Sequence, residues 1–407
     1  MKEFVLDNGL RFIYEKGSSM LTSISIALEA GAAVEDEFQG KYGLAHATEH
    51  MIFKGTKSRT ESEINETLSK LFGFHNAMTN YPYVVYYGTL LEEDFEEGID
   101  ILSDILINPS FPVDGFKEEM NSIREELNEW DEELDQFCED KLFIHSFTSN
   151  RLKYPIIGKY EDLNNISLDD IKEFYNKFYT PKNATFAIVS SLEFEEIKNI
   201  VEKYFSIWNG GEVKVEESKE RPVPIVNKLI REGINTARVE MIFSLIDIND
   251  EEIMAFRIFN EFFGEGVNSI LFNELRTKRG LVYDVITTIS NEKHIRLYKI
   301  SFNISTDKYN EGINIVNKCY EDIEKYKEAL TNEKVKSLVK SIKLKKYFKE
   351  EQSVRRTNNI ATCNVMYNRI EEYNTMLDKI ESLGADKIIN TASKVLKKPS
   401  IQIISPR

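Results

Sequence analysis

Alternating apolar and polar residues predict the strands of this chain, and apolar residues at helical spacing predict the helices between them. The first half predicts three strands before residue 30 and a helix within 43–56. It then predicts a helix at 61–71, strands at 76–79 and 83–87, helices at 92–107, 116–147 and 168–178, a strand at 184–189 and a helix at 193–208. This order favours an α+β fold with a mainly antiparallel β-sheet layered with α-helices.

The second half predicts the same order of elements, with a strand at 238–246, helices at 252–263 and 267–278, strands at 283–290 and 297–304, and then long helices. Gly210, Gly211 and the charged residues 212–224 predict a linker. A length of 407 residues also favours two domains. We therefore expect two structurally similar domains, at 1–209 and 225–407, with a linker at 210–224.

Composition and charge exclude several classes of protein. A net charge of −16 argues against nucleic-acid binding, which favours a basic face. The chain has no run of 18 apolar residues, so we expect no membrane span. Its first fourteen residues predict two strands around an Asn-Gly turn rather than a signal peptide. Cys138, Cys319 and Cys363 form no CxxC pair, which favours reduced, buried thiols and a cytoplasmic location.

The segment 43–56 contains two of the five histidines of the chain, His46 and His50, with Glu49 between them. Positions i and i+4 share one face of a helix, so the two imidazoles can converge on one point. Such a pair is typical of a zinc site that has a third protein ligand and an open position for water. Glu49 would lie beside the metal and suits a general base acting on water. A histidine beside apolar residues is more often structural, so the third ligand decides between the two interpretations.

Acidic residues crowd the predicted helix at 116–147, and most of them are expected to form a solvated face. Glu119 and Glu126 are seven residues apart, about two helical turns, and therefore lie on the same face. One of them can bind the metal while the other supports a histidine from outside the ligand set. The residues alone leave the assignment open.

The order His-x-x-Glu-His, its Phe-Lys-Gly-Thr tail and a glutamate 76 residues after His50 resemble the pitrilysin (insulinase) family of inverted zincins. That family includes insulin-degrading enzyme and the mitochondrial processing peptidases. The resemblance implies one Zn²⁺ per chain, bound by His46, His50 and Glu126. It implies that Glu119 is a supporting carboxylate and that Glu49 is the catalytic base.

Two further segments carry the resemblance. Asn76 and Ala77 begin a segment similar to the family's edge strand, which binds substrate through main-chain pairing, although an ordinary half-buried strand has the same pattern. Arg276 and Tyr283 match a pair that in the family binds substrate near the scissile bond, with the tyrosine assisting catalysis. Without the resemblance, Arg276 would be a surface cation and Tyr283 the start of a buried strand.

The resemblance implies a zinc-dependent endopeptidase that cleaves unfolded peptides inside an enclosed chamber. The two domains would form half of a clamshell, completed as a homodimer or as a heterodimer with a related chain. The alternative is a non-catalytic or regulatory partner subunit that binds peptides in a heterodimeric processing peptidase.

The second half has no counterpart of the two histidines. Residues 259–263 occupy the place that the helix with His46 and His50 has in the first half, and they contain no histidine. The second half is therefore expected to bind substrate rather than metal. The family usually has Phe-Leu where this chain has Ala47 and Thr48, which either widens the pocket or is compensated by packing.

Overall fold

Two compact units form the structure, a computed structural model that describes residues 1–148, 151–369, 380 and 383–407. The first unit comprises the described residues of Met1–Asn128, Tyr154–Glu217 and Phe348–Tyr373, and the second those of Glu129–Lys153, Ser218–Tyr347 and Asn374–Arg407. The boundaries 1–209 and 225–407 follow the chain continuously and stay a prediction. The compact units differ from these boundaries at two segments. Glu129–Lys153, from the first half of the chain, belongs to the second unit, and the described residues of Phe348–Tyr373, from the second half, belong to the first.

The first unit is built on a six-stranded sheet of order β1-β2-β6-β3-β5-β4. β2 and β6 are parallel and the other neighbours are antiparallel. Its strands are β1 (Lys2–Val5), β2 (Arg11–Lys16), β3 (Leu21–Leu28), β4 (Phe72–Thr79), β5 (Val84–Leu91) and β6 (Ala184–Ser190).

The second unit is built on a five-stranded sheet of order β7-β11-β8-β10-β9. Its strands are β7 (Val226–Ile230), β8 (Ala237–Ser244), β9 (Val282–Asn291), β10 (Arg296–Ile304) and β11 (Ser400–Ser405). The pair β7 and β11 is parallel and the other pairs are antiparallel. The five strands from β2 to β4 in the first sheet have the same order and directions, which confirms the predicted α+β fold with two similar sheets.

Three helices begin at capping boxes, in which the side chain before the helix and an acid three residues later bind each other's backbone amides. The boxes are formed by Thr60 and Glu63 at the start of Glu61–Leu71, by Ser167 and Asp170 at the start of Leu168–Phe178, and by Asn249 and Glu252 at the start of Asp250–Phe263. The helices are α1 (Leu44–Met51), α2 (Glu61–Leu71), α3 (Phe95–Ile107), α4 (Val113–Glu132), α5 (Leu134–Ser146), α6 (Tyr160–Asn165), α7 (Leu168–Phe178), α8 (Phe194–Phe205), α9 (Asp250–Phe263), α10 (Ile270–Phe272), α11 (Tyr309–Glu321), α12 (Asn332–Glu350), α13 (Ser353–Tyr367) and α14 (Ala385–Val395).

Two predicted helices are interrupted in the structure. The helix predicted at 116–147 is broken at Glu133, whose backbone is extended, between α4 and α5. The break lies close to the point at which the chain passes from the first unit to the second. The helix predicted at 267–278 is a short α10 followed by a π-helical turn at Asn273–Thr277. Neither break is marked by proline or glycine, so the sequence contains no local signal for it.

Each sheet is covered by a helix from the other half of the chain. In the first unit, Ile360 and Ala361 of α13 pack against Ile13, Ala27 and Val85 of the sheet. In the second unit, α5 packs against β8 and β11. The sequence does not show which sheet α5 and α13 cover, because the apolar face of an amphipathic helix can pack on either of two similar sheets.

Asp140 of α5 gives a pH-dependent prediction. Burial raises the pKa of Asp140 to about 7, although Gln136 donates a hydrogen bond of 3.0 Å to its carboxylate. The native state therefore keeps this proton up to about pH 7, whereas the unfolded chain releases it near pH 4. Stability is consequently highest below the unfolded pKa and falls as the pH rises towards 7. We expect Asp140→Asn to raise the free energy of unfolding on the order of 1 kcal/mol at pH 8 and little at pH 4.

Denaturant unfolding of the chelator-treated protein at several pH values measures this difference. Glu139→Gln is the matched control, because Glu139 pairs with Lys299 at 3.0 Å and its replacement should not stabilise the protein. An equal gain for Asp140→Asn at pH 4 and pH 8 would contradict the assignment.

The described part of the chain contains no helix that is both long and apolar enough to cross a bilayer. No disulfide joins Cys138, Cys319 and Cys363 within the described residues; the first two are buried, whereas Cys363 is only half-buried.

Candidate active site

The start of helix α1 is held in place by a buried acid. Gly43 precedes the helix with a φ of +98°, and a Cβ at this position would lie 2.4 Å from the carbonyl oxygen of Ile157. Only glycine fits such a position without strain. The carboxylate of Glu35 accepts hydrogen bonds from the backbone N–H groups of Gly43 (3.1 Å) and Ala45 (2.7 Å). This contact satisfies amide groups at the helix start and fixes the position of α1.

His46 and His50 lie one turn apart on α1, as the sequence predicts. Their ring centroids are 4.4 Å apart, and the two Nε2 atoms are separated by 3.2 Å. His46 is 8% exposed, while the side chain of His50 is 25% exposed. The helical repeat therefore brings two ring nitrogens to one point that solvent reaches from the His50 side.

Helix α4 contributes both predicted acids, and they contact different atoms. Glu126 faces the paired Nε2 atoms, with one carboxylate oxygen 3.7 Å from His46 and the other 3.7 Å from His50. Glu119 lies on the far side of the second imidazole, where its Oε1 is 2.7 Å from His50 Nδ1. The structure thus separates two carboxylates that the sequence left equivalent.

Electrostatics in the metal-free protein favour a neutral His46 and an ionised Glu119. Burial, followed by the nearby charge of His50, lowers the pKa of His46 to about 3. Burial opposes protonation of His50 as well, but its hydrogen bond to Glu119 and the surrounding carboxylates raise its pKa. The same hydrogen bond is the main reason that the pKa of Glu119 is lowered.

Glu49 lies beside the histidines in a buried position, with 8% of its surface exposed. The hydroxyl of Thr79, at the end of β4, donates a hydrogen bond of 2.7 Å to Glu49 Oε2. Burial is the largest influence on this carboxyl group and raises its pKa. The hydroxyls of Tyr86 and Tyr179 are 2.7 Å apart nearby; burial is the main reason that the pKa of both phenols is raised, and the charge of Glu49 adds to it. A carboxyl group in such an environment is suited to exchanging protons.

His46, His50 and Glu126 fit a zinc ion. Among the described residues they form the one group of three or more His, Cys, Asp or Glu side chains whose candidate ligand atoms all lie within 4.8 Å of one another. Ligand atoms of a tetrahedral zinc site are about 3.3 to 3.5 Å apart, close to the separations of 3.2 and 3.7 Å found here. The donor set of two histidines and one glutamate is one that zinc enzymes use.

Asn76 and Ala77 lie on β4, the edge strand of the first sheet, which pairs with β5 on one side. Its opposite edge has no strand partner within the described residues, and Asn76 is exposed. An open edge of this kind can accept an extended peptide through main-chain hydrogen bonds.

Arg276 and Tyr283 lie in the second unit and contact each other. Arg276 donates a hydrogen bond of 2.5 Å to the carbonyl oxygen of Tyr283, and its guanidinium lies 4.6 Å from the centre of the tyrosine ring. Tyr283 is the second residue of β9 and is 82% exposed, so its side chain does not enter the core. The pair presents a phenol and a cation to solvent.

In the second unit, α9 takes the place of α1 in the order of elements and carries no histidine. A lysine from α12 binds one acid of this helix and one just beyond it: Lys345 Nζ lies 2.7 Å from Glu261 and 3.0 Å from Glu265. One ammonium group is therefore shared by the two carboxylates.

Three residues around the site were not assigned from the sequence. Thr79 and Lys54 stand inside the segments that carry the resemblance, but only the fold shows their contacts with Glu49 and Glu119. Glu35 has no sequence signal, because its partners are backbone amides. Ala47 and Thr48 are fully buried, which favours compensation by packing over a widened pocket.

Comparison with protein families matches both halves of the chain. Residues 11–159 match the family model described as insulinase (peptidase family M16), and residues 165–342 match the peptidase M16 inactive domain. The zinc protease YmxG of Bacillus subtilis is 27% identical over 287 residues, which are 70% of this chain and 69% of the relative. The β subunit of the mitochondrial-processing peptidase of Caenorhabditis elegans is 29% identical over 54% of this chain and 46% of that subunit.

Solved structures agree with this relationship at the level of the fold. The crystal structure of a protease from Helicobacter pylori superposes with a TM-score of 0.89 at 18% identity, covering 100% of this chain and 99% of the other. Family models therefore match the sequence of both halves of this chain. The solved structure matches its fold from end to end. This chain belongs to the M16 (insulinase) family of peptidases.

Proposed function

We propose that the chain is a zinc-dependent endopeptidase in which His46, His50 and Glu126 bind one Zn²⁺. The observation that carries the proposal is the convergence of both Nε2 atoms on the carboxylate of Glu126, with Glu49 beside them and outside the donor group. The names of the relatives, as zinc proteases and as a processing peptidase, support the same activity.

Glu49 is the proposed general base. When bound, zinc supplies Lewis acidity that lowers the pKa of water and polarises a peptide carbonyl. The hydroxyl of Thr79 donates to Glu49 Oε2 and orients the carboxylate, which accepts the proton of the attacking water. Glu49 then returns this proton to the leaving amine. Burial raises the pKa of the carboxyl group and so makes Glu49 a stronger base towards the attacking water than an exposed glutamate would be.

The proposed substrate is an unfolded peptide that binds as an additional strand on β4, beside Asn76 and Ala77. Thr79 ends this strand and contacts Glu49, so a peptide on the edge would run towards the base. Arg276 and Tyr283 are proposed to contact the substrate near the scissile bond, in the same chain or in a partner, and Tyr283 to stabilise the developing oxyanion.

Hydrolysis of an internally quenched peptide, measured together with zinc content, tests the proposal. The purified chain should contain about one zinc per chain and cleave the peptide. A chelator should abolish cleavage, and zinc should restore it. Hydrolysis that persists after complete removal of the metal would refute the proposed mechanism.

A second candidate is a non-catalytic or regulatory subunit that binds peptides in a heterodimeric peptidase. The match of residues 165–342 to an inactive-domain model favours it. This candidate predicts peptide binding without cleavage by the isolated chain, even when it is loaded with zinc.

We propose a cytoplasmic dimer, formed with a second copy or with a related chain. The processing-peptidase relative is named as a subunit, which supports an assembly of two chains. Because this chain contains both the candidate ligands and the Arg276–Tyr283 pair, a homodimer would be self-sufficient. Light scattering during the peptide assay distinguishes these states, and an active monomer would contradict the dimer.

A further inference from the structure

Lys54 is a half-buried lysine that nothing in the proposed mechanism uses. It ends the 3₁₀ turn Ile52–Lys54, which follows α1 directly, and its side chain is 10% exposed. Its ammonium lies 2.8 Å from Glu61, 3.3 Å from Glu119 and 3.9 Å from Glu118. Shielding an ammonium from solvent is costly unless it is paired, so the two nearer carboxylates, those of Glu61 and Glu119, hold Lys54 in a defined position.

Helix α4 leaves room for the stem of this lysine. Gly115 is one helical turn before Glu119, and a Cβ at this glycine would lie 3.3 Å from Lys54 Cβ and 3.4 Å from Lys54 Cε. The lysine therefore runs close against α4 on its way to the carboxylate. Gly115 leaves space for the aliphatic stem of Lys54, and the carboxylates of Glu61 and Glu119 bind its ammonium group.

The two oxygens of Glu119 are divided between two partners. Oε1 lies 2.7 Å from His50 Nδ1, and Oε2 lies 3.3 Å from Lys54 Nζ. An ionised Glu119 can only accept hydrogen bonds, so His50 Nδ1 carries a proton, and in the neutral imidazole Nε2 then presents a lone pair. Lys54 adds a positive charge on the other side of the carboxylate and favours this ionised state.

The same contact explains why two acids on one helix face differ. Glu119 is held by Lys54 and His50 Nδ1, whereas Glu126 faces the two Nε2 atoms. With its charge neutralised and both oxygens bound, Glu119 is kept from competing with Glu126 for a cation. Loss of Lys54 would free one oxygen of Glu119 and loosen the orientation of His50.

We propose that Lys54 is a positioning residue that sets the orientation and tautomer of His50 through Glu119 and thereby determines metal affinity. This inference rests on the proposed zinc site, but it concerns a residue outside the ligand set. Outer partners of metal-binding histidines typically change affinity by about 10- to 100-fold. A lysine acting through such a partner should have an effect near the lower end of this range.

Zinc affinity of the full chain, measured by competition with a chromophoric chelator, tests the inference. We expect Lys54→Met to weaken zinc binding about 10-fold and Lys54→Arg to restore most of it, because arginine keeps the charge and the donors. Lys54→Gln, which keeps a donor and loses the charge, should fall between them. Glu118→Gln is the matched control; it removes a carboxylate near Lys54 that is 72% exposed and should bind zinc as the wild type does.

Thermal unfolding of the metal-free variants separates positioning from a general structural role. A lower unfolding temperature with wild-type zinc affinity in Lys54→Met would overturn the inference. If that variant does not fold, Lys54→Gln serves in its place, and wild-type affinity there would also overturn it. A wild-type chain that binds no zinc would instead refute the proposed function, so the two failures are distinguishable.

Discussion

Glu49→Gln is expected to bind zinc like the wild type and to lose peptide hydrolysis. The amide has nearly the shape of the carboxylate, and Glu49 is outside the group formed by His46, His50 and Glu126. The amide oxygen can still accept the hydrogen bond from Thr79, so the local packing should persist. What disappears is a group that accepts and returns a proton, a loss that typically costs about 10²- to 10⁴-fold in rate.

Zinc content by atomic absorption and cleavage of the quenched peptide, measured on the same preparation, check this expectation. Thr79→Val is an informative companion variant, because it leaves the carboxylate in place and removes only its hydrogen-bond donor. It should retain more activity than Glu49→Gln. Wild-type turnover in Glu49→Gln would refute the assignment of the base.

Glu126→Gln is expected to lose zinc affinity and, as a consequence, activity. The carboxylate of Glu126 is the one that lies 3.7 Å from each Nε2 atom, and its negative charge contributes directly to binding a divalent cation. The loss should exceed the 10- to 100-fold range that is typical of outer partners. Glu119→Gln should remain within that range, because it changes the partner of His50 Nδ1 and of Lys54 but none of the candidate ligands.

Competition with a chelator measures both variants on one scale. Glu125→Gln is the control for charge alone, since it changes an exposed neighbour on the same helix and should leave zinc affinity unchanged. Unchanged affinity in Glu126→Gln would place the third ligand on another acid of α4. An equal loss in Glu119→Gln and Glu126→Gln would contradict the separate roles that their contacts indicate.

Much of the fold follows from local patterns in the sequence. Strands β8, β9 and β10 lie where alternating residues predict them, because a half-buried strand needs one apolar side chain in two. The break at Glu133 and the exchange of α5 and α13 were not predictable. An amphipathic pattern shows that a helix covers a sheet, but two similar sheets offer equivalent surfaces, and only the complete packing selects between them.

For the candidate site, the sequence by itself determined the convergence of His46 and His50 and the place of Glu49 beside them, because the helical repeat sets these relations within one turn. It also determined that Glu119 and Glu126 share a face of α4. Only the tertiary structure decided which of the two faces the paired Nε2 atoms. That choice depends on Lys54 and His50 Nδ1, which occupy both oxygens of Glu119 from a different part of the chain and leave Glu126 facing the paired nitrogens.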